Sequence, residues 1–402
     1  MRILVAEDDR ATRLRILSMF KDWGHETEAA ADGEEAWALF QEGEFDLVVT
    51  DWLMPGMDGL ELLRKIRTCG EGNDYVYAIV LTSRSETRDV VAGIEAGADD
   101  FVCKPFDKDE LRVRIKAAAR IIEVEHALAE QNRRLAAANN VLVEANRRMK
   151  ESLQAAAKIQ QSFLPEYPPE SAAAKFAWVY EPCDELAGDT LNIVPLDEDH
   201  VGIYIIDVSG HGVPAALLSV HLSRILTRLH GTDALLRRPV SGNGEYELRA
   251  PAEVASSLNQ RFTYDEETEQ YFTVLYGILD LKTLEFRYTS AGHPGPLVVS
   301  DGQGSLNKAH PPAVGFLPDG KFTEQTLQCA AGDRLYFYTD GIYEVTNREG
   351  EELGQDGVCR ILEDASRAPL EESLRTLQNA ARAWQDGRPF QDDLSLIAVE
   401  VR

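Results

Sequence analysis

The feature that most constrains the fold is a segment from residue 108 to residue 163 that contains neither proline nor glycine. It is rich in alanine, glutamate, arginine, leucine and glutamine, which are all good helix formers. Because proline lacks a backbone donor and clashes with the preceding turn, Pro165 should end the helix. The chain is therefore predicted to contain two folded parts joined by one long helix.

Apolar or small residues recur at every seventh position of this helix, namely at Leu128, Leu135, Leu142, Met149, Ala156 and Phe163. A sustained seven-residue repeat is typical of a coiled coil, in which a second helix covers the apolar seam. The alternative is a single amphipathic helix packed on its own domain. The length of the repeat favours a helical coiled-coil linker over residues 121–163, and with it a homodimer.

Residues 1 to about 120 alternate short apolar runs with stretches of helical periodicity. The runs at 3–6, 47–49, 78–81 and 101–102 are typical of buried strands. Such alternation predicts a flavodoxin-like α/β domain over residues 1–120, a doubly wound parallel sheet with helices on both faces. Functional groups in these sheets gather at the carboxyl ends of the strands.

Polar residues that suit phosphoryl chemistry follow the predicted strands of this first part: Glu7, Asp8, Asp51, Thr82 and Lys104. A parallel sheet would bring all of them to one edge. Clustered carboxylates suit Mg²⁺, and one carboxylate can then act as a nucleophile toward a phosphoryl group. A hydroxyl and a lysine can bind the oxygens of the transferred group.

In the motifs at 2–9, 51–59, 81–83 and 96–106, this part resembles the response-regulator receiver family. The resemblance implies that Asp51 is the phosphoacceptor, supplied by a sensor histidine kinase or a phosphotransfer protein. It also implies that Glu7, Asp8 and Asp51 hold Mg²⁺. Further implied roles are phosphoryl binding by Thr82 and Lys104, an aromatic switch at Phe101 and a cis peptide bond before Pro105.

Residues 170–402 contain alternating apolar runs with helical stretches grouped between them, which predicts a layered α+β domain built on a β-sandwich. Four aspartates stand beside strands or glycines in this part: Asp189, Asp207, Asp340 and Asp392. Acids at the ends of buried strands are costly unless they are paired or bound to metal. Four converging carboxylates could hold two hard metal ions for attack on a phosphate.

The motifs at 159–165, 188–189, 207–217, 290–297, 332–341 and 392–396 resemble the metal-dependent protein phosphatase 2C superfamily. The nearest branch is that of the sporulation stage II protein E phosphatase and the stress-response sigma-regulator phosphatases. This resemblance implies an α+β phosphatase domain whose two Mn²⁺ or Mg²⁺ ions are held by Asp189, Asp207, Asp340, Asp392 and the Val208 carbonyl. His211 could protonate the leaving oxygen, because histidine titrates near neutrality, or it could be structural.

The family resemblance also implies a substrate, which is a phosphorylated anti-sigma-factor antagonist. One departure concerns residues 190–192, where Thr190, Leu191 and Asn192 replace the usual aromatic pair and second aspartate. This departure leaves open a degenerate phosphatase that only binds and sequesters its partner. A third possibility, a DNA-binding regulator, has no basic recognition helix to support it. Both activation and inhibition of the phosphatase by receiver phosphorylation are compatible with the sequence.

The charge balance narrows the range of partners. The formal net charge is −27 and the isoelectric point is about 4.7. Such a polyanion is repelled by nucleic acids and by anionic membranes, so neither is an expected partner. The five cysteines form no Cys-x-x-Cys pair, and no apolar stretch approaches the roughly 18 residues of a membrane span. These features predict a cytoplasmic protein.

Overall fold

The computed structural model describes residues 1–69, 75–83, 87–229, 234–240, 246–263, 270–307 and 311–402. The chain divides into two compact units, residues 1–145 and residues 146–402. Among the described residues, no helix combines the length and the apolar character that a membrane span requires.

The first unit alternates strands and helices in the order β1 (Arg2–Ala6), α1 (Arg10–Asp22), β2 (Glu26–Ala30), α2 (Gly33–Glu42), β3 (Leu47–Asp51), α3 (Gly59–Thr68), β4 (Tyr77–Thr82), α4 (Thr87–Glu95), β5 (Asp100–Cys103) and α5 (Lys108–Gln161). Its five strands are parallel in the order β2-β1-β3-β4-β5. Apolar clusters cover both faces of the sheet. The predicted doubly wound α/β fold is confirmed.

Local sequence signals explain where the early helices of this unit begin. Asp9, Asp32 and Asp58 each stand immediately before a helix. Each carboxylate accepts a hydrogen bond of 2.8 Å from the backbone N–H three residues later. These bonds satisfy donors that the first helical turn leaves unpaired.

Helix α5 belongs partly to the core of the first unit. Its early apolar residues Leu111, Ile115, Ala118 and Ile122 are buried against the sheet. Farther along, the seam residues Leu128, Leu135, Leu142 and Met149 are 48%, 67%, 68% and 63% exposed in the single chain. A second helix would have to cover them, so the coiled coil stays a prediction.

The second unit contains the strands β6 (Ala174–Glu181), β7 (Thr190–Pro195), β8 (His200–Val208), β9 (Arg237–Pro239), β10 (Tyr246–Leu248), β11 (Phe272–Asp280), β12 (Glu285–Ala291), β13 (Leu297–Ser300), β14 (Gln303–Leu306), β15 (Gln325–Gln328), β16 (Arg334–Tyr338) and β17 (Leu394–Val401). Its helices are α6 (Val213–Leu226), α7 (Pro251–Arg261), α8 (Gly354–Asp364) and α9 (Leu370–Trp384), with a 3₁₀ turn at Asp340–Ile342.

Two five-stranded antiparallel sheets form the centre of the second unit, in the orders β15-β12-β11-β8-β7 and β14-β13-β16-β17-β6. Inward-facing residues such as Ile203, Leu275, Phe337 and Ile397 pack between the sheets. Apolar residues of α6 and α7 cover the outer face of the first sheet, and those of α8 and α9 cover the second. The predicted layered β-sandwich is confirmed.

His293 fixes the loop that follows β12. Its side chain is fully buried, and its Nδ1 lies 2.8 Å from the Thr273 hydroxyl oxygen in β11. The Ser290 hydroxyl donates a hydrogen bond to the His293 carbonyl. Burial lowers the pKa of His293 to about 3, because the imidazolium cannot be hydrated there.

His293 should make the protein less stable in acid. The unfolded chain takes up a proton on this residue near its ordinary pKa of about 6.5, while the folded chain does not until about pH 3, so stability falls as the pH drops through that window. Between about pH 7.5 and about pH 5 the contribution is about 2 kcal/mol. Over the same pH range, urea unfolding should show that His293→Gln loses less unfolding free energy than the wild type, by that amount. Equal losses in both proteins would contradict the assignment.

Candidate functional site

The first cluster of polar side chains lies at the carboxyl edge of the parallel sheet. The register pairs Ala6 with Thr50, Asp51 with Leu81 and Thr82 with Cys103. The residues that end these strands therefore meet at one edge, as the sequence predicts. Thr82 is buried at the end of β4.

Lys104 connects the two acids of this edge. Its Nζ lies 2.6 Å from Asp51 Oδ2, and 2.7 Å and 3.0 Å from the two Glu7 carboxylate oxygens. Glu7 is fully buried. Its pKa is raised to about 6, because burial and the nearby Asp51 disfavour the carboxylate more than Lys104 favours it. The peptide bond between Lys104 and Pro105 is cis, as predicted.

Glu7, Asp8 and Asp51 can each offer one carboxylate oxygen within 4.8 Å of the other two. Three such oxygens, with water completing the shell, suit Mg²⁺. Asp9, in contrast, caps helix α1, because its carboxylate accepts a hydrogen bond from the Thr12 backbone N–H. The donor set therefore fits the predicted magnesium site.

The second set of acids comes from both sheets of the sandwich. Asp189 directly precedes β7, and Asp207 is the penultimate residue of β8. The antiparallel register, which pairs Thr190 with Ile206, makes these two acids neighbours. Asp340 begins the 3₁₀ turn after β16, and Asp392 lies two residues before β17, the strand that pairs with β16.

Burial and mutual repulsion raise the pKa values of these four aspartates. The pKa of Asp207 rises to about 8 through burial and then through Asp340 and Asp392. The pKa of Asp340 rises to about 6 through burial, Asp392 and Glu344. Burial, Asp207 and Asp393 hold the pKa of Asp189 well above its usual range.

The donor set of this second site consists almost wholly of anions. Apart from His211 beside Asp392, the charged neighbours that most shift the four pKa values are carboxylates. Oxygen ligands with uncompensated negative charge are the set that Mg²⁺ or Mn²⁺ prefers. The residues present therefore fit divalent cations.

The four predicted aspartates do not form one compact group. Within the described part of the chain, the group of three or more potential ligands in this unit whose atoms all lie within 4.8 Å of one another consists of Cys183, Asp392 and Asp393. Asp207 and Asp340 interact with Asp392 through their charges, and Asp189 interacts in the same way with Asp207 and Asp393.

Asp393 is a residue whose task the sequence did not reveal. Its nearly buried carboxylate accepts hydrogen bonds from the backbone N–H groups of Gly188 at 2.7 Å, Cys183 at 2.9 Å and Asp189 at 3.4 Å. Asp393 thereby fixes the backbone that carries Asp189. The Thr339 hydroxyl completes this support by donating to Asp189 Oδ2 at 2.8 Å.

Two further predicted residues occupy the connection after β8. A Cβ built on Gly188 would lie 2.9 Å from the Val208 carbonyl oxygen, so the absence of a side chain lets that oxygen approach the Asp189 segment. His211 stands between Gly210 and Gly212, both with positive φ, and its ring is largely exposed. Its Nδ1 lies 4.0 Å from Asp184. The exposed imidazole is therefore accessible to a substrate.

The side chains of Thr190 and Asn192 bind other parts of the fold rather than the acids of the candidate metal site. Thr190 hydrogen-bonds to Ser223 of α6 at 2.6 Å. The Asn192 amide donates to the Phe163 carbonyl at 2.9 Å, and its oxygen accepts from the Ile193 N–H. Asn192 thus holds the segment that follows α5, and both of its polar groups are engaged away from the acids.

Gln160, in the last turn of α5, binds the other side of the same region. Its buried Nε2 donates to the Ala187 carbonyl at 2.6 Å and lies 2.9 Å from the Ser219 hydroxyl oxygen of α6. Its Oε1 accepts from the Ala187 N–H at 3.2 Å. Ala187 stands two residues before Asp189, so the end of the long helix is bonded to the candidate metal site. Gln160 lies in the motif at 159–165, but the role of its side chain depends on Ala187 and Ser219, which are distant in the sequence.

Two models of known families match this chain, one in each unit. The model of the family described as Stage II sporulation protein E (SpoIIE) matches residues 197–402, and the response regulator receiver domain model matches residues 3–116.

Individual relatives match one half or the other. Response regulator MprA of Mycolicibacterium vanbaalenii is 42% identical over 120 residues, which are 30% of this chain and 51% of that protein. Phosphoserine phosphatase RsbP of Bacillus subtilis is 27% identical over 255 residues, which are 63% of this chain and 58% of that protein. The chain therefore spans about half the length of the curated relatives it matches.

A solved structure shares the fold of the second unit. The SiaA-PP2C domain of Pseudomonas aeruginosa superposes with a TM-score of 0.54 at 22% identity, over 64% of this chain and 98% of that one. The two domains therefore have the same architecture.

Replacing Asp393 by Asn should destabilise the protein even without metal. The amide would turn a donor toward a backbone N–H, which leaves buried groups unpaired at a cost of about 1–3 kcal/mol. Asp392→Asn is the matched control, and it should leave the unfolding free energy unchanged or raise it, because it removes repulsion. Both are measured by urea unfolding in EDTA. A similar loss in the two variants would contradict the assignment.

Proposed function

We propose that this chain, which belongs to the stage II sporulation protein E (SpoIIE) family and carries a receiver domain ahead of that family's domain, is a response regulator that dephosphorylates proteins. The reaction is hydrolysis of phosphoserine or phosphothreonine. The observation that carries this proposal is the set of repelling carboxylates Asp189, Asp207, Asp340 and Asp392 at one end of the sandwich. The similarity to a phosphoserine phosphatase supports it.

Asp189, Asp207, Asp340 and Asp392, with the Val208 carbonyl, would hold two Mn²⁺ or Mg²⁺ ions. When bound, such ions lower the pKa of water and neutralise phosphoryl charge. Thr339 and Asp393 hold Asp189 in position, because Thr339 donates to its carboxylate and Asp393 accepts from its backbone N–H. His211, exposed beside Asp392, would give a proton to the leaving serine or threonine oxygen.

In the receiver, Asp51 would attack the phosphorus of a phosphohistidine on a sensor kinase or phosphotransfer protein. The new bond joins an Asp51 oxygen to phosphorus, and the histidine nitrogen leaves. Glu7, Asp8 and Asp51 would hold the required Mg²⁺. Lys104, now bonded to Asp51 and Glu7, is close enough to exchange one of these contacts for a phosphoryl oxygen, with Thr82 as a second donor.

The two activities would be coupled through α5. Gln160 joins the end of this helix to Ala187 and Ser219, and Asn192 joins the following segment to β7. A shift in the last turn of α5 would therefore move the backbone that presents Asp189. We expect a homodimer through residues of about 121–160 and activation by phosphorylation. The expected substrate is a phosphorylated anti-sigma-factor antagonist, by resemblance to the stress-response branch.

Hydrolysis should require the aspartates of the second unit. We expect the wild type to release nitrophenol from para-nitrophenyl phosphate with Mn²⁺ but not in EDTA. Asp207→Asn and Asp340→Asn should each lower the rate by about 100-fold or more, because a neutral ligand compensates a dication poorly. The control is Asp364→Asn, an exposed acid at the end of α8.

Full activity in either site variant would contradict the metal assignment. A wild type that binds its phosphoprotein partner but hydrolyses nothing would favour the alternative of a degenerate phosphatase that sequesters its partner. That alternative arises because Asn192 stands where the family usually has an aspartate.

Modification of Asp51 should change the phosphatase rate through the helix. Beryllofluoride with Mg²⁺ should raise the rate of the wild type and leave Asp51→Asn unchanged. Leu135→Glu combined with Leu142→Glu should give a monomer by light scattering and abolish the response, because buried charges oppose the apolar seam.

The matched control is Ala136→Glu combined with Val143→Glu, which adds the same charge one position away from the seam. This control should stay dimeric and responsive. A seam variant that remains dimeric, or that becomes monomeric yet responds fully, would refute the proposed route.

A further inference from the structure

A turn in the second unit exposes two large apolar residues side by side. Phe316 is 59% exposed and Leu317 is 48% exposed. The Phe316 ring meets Tyr271 edge to face, with ring centroids 5.9 Å apart, and Tyr271 is itself 36% exposed. Single exposed apolar residues are common, but an adjoining group of three is a surface suited to a partner. We call these three residues the aromatic ridge.

The aromatic ridge is held by buried hydrogen bonds. Asn259 of α7, which is 3% exposed, accepts from the Gly315 N–H at 2.8 Å and donates to the Leu317 carbonyl at 2.9 Å. Val314 and Phe272 exchange backbone hydrogen bonds of 3.2 Å and 3.0 Å. Gly315 has φ +88°, a conformation that favours glycine. The ridge is therefore preorganised, which lowers the entropic cost of binding.

The aromatic ridge adjoins the strand that carries Asp207. The Ser209 N–H donates to the Tyr271 carbonyl at 3.0 Å, and the Tyr271 N–H donates to the Ser209 hydroxyl at 3.0 Å. Ser209 follows Val208, whose carbonyl faces the Asp189 segment. A protein with its phosphorylated residue at the acids would therefore lie against the ridge.

A cluster of arginines extends the same surface. A cavity of about 510 Å³ is lined by His221, Arg224, Ile225, Arg228, Arg261 and Phe262. Arg224, Arg228 and Arg261 are exposed, and all three line this cavity. We call these three residues the arginine cluster. It is unusual in a chain of net charge −27.

Phe262 links the arginine cluster to the aromatic ridge. It follows Arg261 directly, and its ring packs against His221 at 5.7 Å. A Cβ on Gly315 would lie 3.1 Å from the Phe262 carbonyl oxygen, so the two backbones are in close approach. The basic and apolar parts are therefore continuous.

We propose that the aromatic ridge and the arginine cluster form the docking surface for an acidic phosphoprotein substrate, an inference that rests on the proposed phosphatase activity. An acidic partner is repelled by most of this polyanionic chain, so a local cationic region is where it can approach. The ridge would bind an apolar patch near the phosphorylated residue. A small aryl phosphate reaches the acids without touching this surface.

The test compares a protein and a small substrate on the same variants. Phosphocasein, an acidic phosphoserine protein, and para-nitrophenyl phosphate are the probes, each with Mn²⁺. Phe316→Ala, and separately Arg224→Glu with Arg228→Glu, should lower kcat/KM for phosphocasein by about tenfold or more. The value for the aryl phosphate should change by less than about twofold, which also shows that the variants fold.

The matched controls lie elsewhere in the unit. Tyr167→Ala removes an aromatic ring that is more exposed than Phe316, and Arg360→Glu with Arg375→Glu makes the same charge change on α8 and α9. Both should leave the two kcat/KM values unchanged.

Equal losses on the two substrates, or no loss on phosphocasein, would overturn the docking inference. A wild type that hydrolyses the aryl phosphate but not phosphocasein would overturn it as well. A wild type that hydrolyses neither probe would instead refute the proposed function, so the two failures are distinguishable.

Discussion

Repulsion between carboxylates gathered at strand ends is the constraint that both units are built around. In the first unit the Lys104 ammonium lies between Glu7 and Asp51 and compensates them directly. In the second unit, among the residues that the structure describes, no lysine or arginine contributes to the pKa shifts of the four aspartates, and their pKa values rise instead. The first arrangement suits a site that exchanges a lysine contact for a phosphoryl oxygen, whereas the second suits a site that depends on divalent cations.

The surroundings of Asp189 show how that constraint is met structurally. A buried acid stays in place only if its backbone and side chain are held by hydrogen bonds, because a buried charge without partners is costly and would otherwise move toward solvent. Asp393 binds the backbone before it, Thr339 binds its carboxylate, and Gln160 binds Ala187. The same contacts that orient a candidate ligand thus also attach the long helix, so support of the site and its regulation would share one set of hydrogen bonds.

Much of the architecture could be predicted because it follows from local chemistry. The proline- and glycine-free segment predicts one helix, and α5 runs unbroken from Lys108 to Gln161. Alternating apolar runs predict the parallel sheet and the sandwich. The roles of Asp393 and Asn192 could not be predicted, because both depend on partners far away in the sequence. Asp393 lies beside Asp392 in the chain, yet its carboxylate accepts from Gly188, which precedes a strand of the other sheet, and Asn192 binds Phe163.

The sequence by itself determined the order of elements and the residue types available at their ends, because helical periodicity, strand alternation and proline positions act over a few residues. It also determined that acids and glycines stand together in the chain. Only the tertiary structure decided which acids face one another, which side chain supports which backbone, and that Phe316 packs on Tyr271 beside the end of the strand that carries Asp207. These facts depend on the pairing of strands distant in sequence, and that pairing is fixed by burial of the two apolar sheet faces as a whole.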